Sequence, residues 1–209
     1  MLDAKTREPA SRSYRYMARL LDQAYGEREA GVCLAYFSPD DDRITADTLL
    51  MLGYCLQSEL NSKVLLIDAR ARQIETGLTG RLHLSQRPGY AELLRDGCGR
   101  VDELVQPTAV PLVDVLAAGS VALGNPALAG QENLSALLAH CRQRYQYVLL
   151  QVGSLLADTR NLQVAAQADA TFLIAQENHT MLKQFDDSQR LLERSGLGPL
   201  RMVVTSASP

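Results

Sequence analysis

Residues Lys63-Val64-Leu65-Leu66-Ile67-Asp68 decide the fold. Four successive apolar side chains run, without alternating, into one carboxylate. A strand apolar on both faces belongs to a sheet that helices cover on both sides. The same texture returns in Val32-Cys-Leu-Ala-Tyr-Phe37, Leu112-Val-Asp-Val-Leu116, Tyr147-Val-Leu-Leu-Gln-Val152, Ala170-Thr-Phe-Leu-Ile174 and Arg201-Met-Val-Val-Thr205. Between these runs the spacing predicts helices over Tyr14–Ala24, Ala46–Ser58, Asn133–Arg144, Ala157–Gln167 and Thr180–Ser195, with short ones over 89–95 and 101–105. Strand–helix alternation of this kind implies an α/β fold, a doubly wound and mainly parallel sheet flanked by helices with right-handed crossovers.

The bulk properties agree. A chain of 209 residues, 46% hydrophobic and 22% charged, suits one α/β domain with a sizeable core. Residues 1–12 read as a flexible lead and 13–209 as a single domain. A net charge of -3 gives no electrostatic reason to expect nucleic acid as the partner. Cys33, Cys55, Cys98 and Cys141 form no CxxC pair and read as small buried hydrophobes in a reducing compartment. His83, His140 and His179 show no ligand spacing, so no metal is expected. No apolar run approaches the length of a membrane span, and the polar start of the chain is unlike a signal peptide. The expectation is a cytoplasmic protein that reaches a membrane only through a partner.

In open parallel sheets, ligands bind beyond the carboxyl ends of the strands. That rule selects residues 38–45, 68–72 and 151–154, and these segments carry a family resemblance. Val64-Leu-Leu-Ile-Asp-Ala-Arg70, Val101-Asp-Glu-Leu-Val-Gln-Pro-Thr108, Leu112-Val-Asp-Val-Leu-Ala-Ala-Gly119, Gly124-Asn-Pro126, Arg144-Tyr-Gln-Tyr-Val-Leu-Leu150 and Ala168-Asp-Ala-Thr-Phe-Leu-Ile174 follow one another in order. Together they resemble the cytoplasmic kinase domain of bacterial tyrosine kinases, within the wider group of P-loop ATPases that includes the MinD and ParA proteins. The resemblance spans about residues 12–205 and implies a P-loop fold with a nucleotide pocket at those strand ends.

Against that pattern the pocket residues depart. Where the family's phosphate loop reads roughly PGEGKST, this chain has Pro39-Asp-Asp-Asp-Arg-Ile-Thr45. Glycines there let backbone N–H groups converge on phosphates, and a lysine reaches their oxygens. Asp40 and Asp42 stand in the glycine positions, Arg43 in place of the lysine, Ile44 in place of a hydroxyl, and Thr45 survives. One carboxylate about 5 Å from a phosphate charge costs about 3 kcal/mol at an effective dielectric near 20. The aspartates therefore outweigh Arg43, and ATP binding in the usual pose is not expected. In the second aspartate motif Asp68 persists, but the next acidic residue has become Arg70. At the Walker B position Gln151 replaces an aspartate, and an amide supplies no anionic oxygen to a Mg²⁺-bound water. The resemblance also implies a C-terminal tyrosine run, whereas the last tyrosine here is Tyr147. Of the family's Glu-x-x-Arg-x-x-Arg assembly helix only Arg15 is in register, with Arg19 one place late.

Plainer readings stand beside these. The aspartates of 40–42 read as a solvated loop starting a helix rather than a metal cluster, and Asp68 as an ordinary strand-end carboxylate rather than a Mg²⁺ ligand. Arg43 and Arg70 either stand free or pair with the carboxylates and fill the vacated pocket. The Met17, Leu20, Leu21 stripe reads as core packing. The leading expectation is a protein without catalysis or cofactor, a kinase-like scaffold or regulator in exopolysaccharide or capsule production. Its partners, by the resemblance, are a membrane-anchored chain-length regulator or an active kinase relative, with a homo-oligomer also open. The alternatives are a residual ATPase or tyrosine kinase with an atypical loop, and a MinD/ParA-like positioning protein for cellulose-synthesis or flagellar machinery.

Overall fold

The computed structural model describes residues 4–39, 42–70, 74–120, 129–158, 161–197 and 200–205. In chain order the elements are α1 (Ala4–Tyr25), β1 (Val32–Phe37), α2 (Asp42–Leu60), β2 (Val64–Asp68), α3 (Leu78–Arg81), α4 (Tyr90–Asp96), α5 (Val101–Leu104), β3 (Gln106–Pro107), β4 (Val113–Leu116), α6 (Ala129–Arg144), β5 (Tyr147–Gln151), α7 (Asn161–Gln167), β6 (Ala170–Gln176), α8 (Leu182–Arg194) and β7 (Leu200–Thr205), with 3₁₀ turns at Ile74–Thr76 and Cys98–Arg100. Among the described residues, seven strands form one sheet in the order β3-β4-β2-β5-β1-β6-β7. Every pairing is parallel except that of β3 with β4.

Period-two alternation divides the buried strand residues between two cores. Cys33, Ala35, Phe37, Leu65, Ile67, Val148 and Leu150 face one cluster, which α4, α6, α7 and α8 cover. Val32, Leu34, Tyr36, Val64, Leu66, Tyr147 and Leu149 face the other, closed by α1 and α2. The crossover from β1 to β2 carries α2 on one face, and those returning through β5, β6 and β7 carry α6, α7 and α8 on the opposite face. Uniformly right-handed crossovers demand that arrangement.

Several expectations shift. The first helix begins at Ala4, so it takes in residues expected as a flexible lead over 1–12. In the Met17–Leu21 stripe, Leu21 is buried and Met17 packs against the core, but Leu20 is exposed. The helix expected from Ala157 starts at Asn161, whose Nδ2 donates to the Ser154 carbonyl at 3.1 Å. No element was expected between residues 68 and 89, where α3 sits. Cys33, Cys55 and Cys141 are buried and Cys98 is half-buried, all four as free thiols.

At the amino edge of the sheet Asp169 ties three segments together. Its carboxylate accepts the Cys33 N–H at 2.8 Å, Arg142 Nη2 at 2.9 Å and Arg28 Nη1 at 2.7 Å. Burial pushes this carboxyl up, but the Cys33 N–H and the two guanidiniums outweigh it and hold it below the usual range. A depressed carboxyl contributes stability that is present above its unfolded value and lost as pH falls through its folded one. Urea denaturation should therefore show native protein more stable than Asp169→Asn at neutral pH. The gap should shrink as pH falls below the ordinary carboxylate range.

Candidate functional site

The carboxyl ends of β1, β2 and β5 lie side by side because Gln151 is in register with both Tyr36 and Asp68. Asp68 and Gln151 are fully buried there. Arg70, two residues beyond the end of β2, turns back on Asp68 instead of reaching outward. Its Nε donates to Asp68 Oδ1 at 2.8 Å and its Nη2 to Oδ2 at 3.0 Å. The pair is bidentate, the strong form of an arginine–carboxylate contact. Both side chains are buried, with 1% and 0% of their surface exposed. Arg70 Nη1 also donates to Thr76 Oγ1 at 3.3 Å.

The missed segment, 74–81, closes the site. Two glycines in Leu78-Thr79-Gly80-Arg81 and its preceding residue make it a poor helix by propensity, so tertiary bonds have to hold it. The Leu78 N–H donates to Gln151 Oε1 at 2.8 Å, and the Thr79 N–H to Asp68 Oδ2 at 3.0 Å. Thr79 Oγ1 accepts the Ala118 N–H at 2.8 Å, joining the end of β4 to the same cluster. Gly77 is required by close approach, since a Cβ there would overlap the Arg70 guanidinium. Thr76, Gly77, Leu78 and Thr79 thus belong to the site. The glycine at 77 was the only visible sign of it in the sequence.

The phosphate-loop positions are less fully described. Asp40 lies outside the described residues. Asp42 is the first residue of α2. Arg43 is exposed in the first turn of that helix. Thr45 is fully buried, and its hydroxyl has no hydrogen-bond partner among the described residues. Ser154 Oγ donates to the Pro39 carbonyl at 3.0 Å, linking the loops that follow β5 and β1. Of the expected site residues, the structure joins Asp68, Arg70 and Gln151 in one buried cluster. The choice left open for Arg70 is settled in favour of pairing. Gly124, Asn125 and Pro126 lie outside the described residues. Arg15 and Arg19 both pair with Glu59 of α2, at 3.3 and 3.1 Å. No group of three or more metal-ligating side chains occurs among the described residues.

A mostly parallel sheet of this order, flanked by helices, with its candidate site at the ends of the central strands, defines a P-loop NTPase-like α/β fold. Comparison with known proteins narrows the class. The chain is 27% identical over 150 residues to the tyrosine-protein kinase wzc of Salmonella typhimurium, which covers 71% of this chain and 20% of that relative. The kinase domain of the Escherichia coli tyrosine kinase ETK superposes with a TM-score of 0.75 at 21% identity, covering 98% of this chain and 81% of that one. The MinD cell division protein of Aquifex aeolicus matches with a TM-score of 0.62 at 16% identity, over 83% of this chain and 69% of its own. No protein-family model matches the chain. The chain is thus similar in sequence to bacterial tyrosine kinases and shares the fold of their kinase domains and of MinD. It spans about a fifth of the length of the curated relatives it matches.

Removing one member of a buried ion pair leaves the other charge unmatched, at a cost of about 3–5 kcal/mol. Arg70→Met should lower stability to chemical denaturation by an amount in that range. Asp68→Asn/Arg70→Met keeps an acceptor for the Thr79 N–H without the stranded charge, and should recover much of the loss. A double variant no more stable than the single one would mean that the two side chains are not coupled.

Proposed function

We propose that the chain is a non-catalytic, kinase-like domain that acts as a scaffold or regulator in bacterial exopolysaccharide or capsule production. The observation that carries this reading is the closed Asp68–Arg70 pair. A working site of this fold needs an anionic oxygen free to order a hydrated divalent cation. Here both oxygens of Asp68 accept protein donors, and a guanidinium stands against them. Beside them Gln151 presents an amide, with its Oε1 engaged by the Leu78 N–H. This donor set does not fit a Mg²⁺–nucleotide complex, because a cation would have to displace a buried, bidentate arginine. The aspartates of the 39–45 loop add a second obstacle, repulsion of a polyphosphate.

The supporting side of the reading is the scaffold. The fold matches tyrosine kinase domains over nearly the whole chain, so the surfaces by which such a domain meets its neighbours are those it has to offer. No helix among the described residues is long and apolar enough to cross a membrane. In this reading, contact with an envelope complex is made through a partner, either a membrane-anchored chain-length regulator or an active kinase relative.

Two measurements test this. Calorimetric titration with ATP, ADP and GTP, with and without Mg²⁺, should be flat into the millimolar range. Mg²⁺-dependent binding that Arg43→Ala abolishes would install a residual ATPase or kinase instead. Affinity purification from envelope extracts should recover a chain-length regulator or a tyrosine kinase, and recovery of neither would remove the scaffold role.

A further inference from the structure

The two edges of the sheet are built differently. At one edge β3 is two residues long, antiparallel to its neighbour and ends in Pro107, which has no N–H to offer a further strand. Short length and proline are standard ways to blunt an edge. At the other edge β7 runs for six residues, Leu200–Thr205, with no proline, and pairs on one side only with β6. No strand among the described residues covers its outer side.

Charge, the other usual protection, is also withdrawn. The single charged residue of β7 is Arg201, and its guanidinium lies over the rings of Tyr25 and Phe172, 5.8 and 5.7 Å from their centroids. Val203 shares that face and packs against the core. By alternation Met202 and Val204 occupy the opposite face, and they are 58% and 59% exposed. Met181 and Leu182, at the start of the helix that leads into β7, are exposed as well. Four of the exposed large hydrophobic side chains therefore belong to β7 and the entry to α8.

We propose that β7 is a homodimer interface, pairing antiparallel with β7 of a second copy across a two-fold axis. The sequence of the strand is self-complementary in that geometry. With Val203 opposite Val203, Met202 faces Val204 and Arg201 faces Thr205, so no charge meets its own copy. Met202 and Val204 of both chains then form one apolar stripe on a single face. Directly opposed side chains of this kind are the unit of sheet stabilisation, and an isologous contact of this type closes at two copies. The pairing lies at the sheet edge and does not depend on the Asp68–Arg70 cluster.

The test is sedimentation velocity across the micromolar range. The expected mass is twice that of the chain, halved by Met202→Lys/Val204→Lys with an unchanged circular dichroism spectrum. A monomeric parent, or a dimer that survives the double substitution, overturns the proposal. Should the lysine variant fail to fold, Val204→Cys, on the exposed face of the strand, decides the matter with a short bis-maleimide. A cross-linked dimer beyond that of the parent chain, whose Cys98 alone is partly exposed, supports the interface. No such product overturns it.

Discussion

Burying a charge demands a partner of opposite sign and a full set of hydrogen bonds, or the charge is abandoned. Asp68 is held to that condition by its place at the end of a central strand, with β5 and β4 on either side. Water does not reach it, so the surrounding chain has to answer for both oxygens. Arg70 answers with its guanidinium, and the Thr79 N–H completes the set. Much of the local architecture follows. Segment 74–81 has little helix propensity of its own and is held by its bonds to Asp68, Gln151 and Ala118. Through those bonds the ends of β2, β5 and β4 are fixed relative to one another.

The sheet was legible in the sequence because its strands are apolar throughout, and apolar runs need no partner to be recognised. The limits of β1 match those expected, and β2, β4, β5 and β7 differ by about a residue. What periodicity could not give was structure held by single polar bonds. The helix Leu78–Arg81 is one turn long and carries glycine at its entry and in its body, so no window-based signal marks it. β3 is two residues at an edge, one of them proline, and by propensity reads as anything but a strand. At the site, Asp68, Arg70 and Gln151 were visible as candidates, and so was pairing as one option for Arg70. Its inward turn uses the space that Gly77 leaves beside the guanidinium, and no periodic pattern encodes that.

Fold and pocket are separable here in a way that the two cores explain. Nearly all the buried apolar area sits on the faces of the sheet, in alternating side chains of β1, β2 and β5 and the helices over them. At the strand ends Asp68, Arg70 and Gln151 are buried polar residues that belong to neither core. A change at 70 or 151 would therefore leave the layers untouched, and the likeness in fold to kinase domains extends over nearly the full chain.

Gly77 has a consequence for how such a chain changes over time. A side chain at 77 and an arginine at 70 exclude each other, because they compete for the same volume. Glycine at 77 is therefore what lets the guanidinium keep its inward pose against Asp68. An aspartate at 70 would set a second carboxylate beside the buried Asp68, with no cation to separate them. Positions 70 and 77 are therefore coupled, and a substitution at either has to be read against the residue at the other.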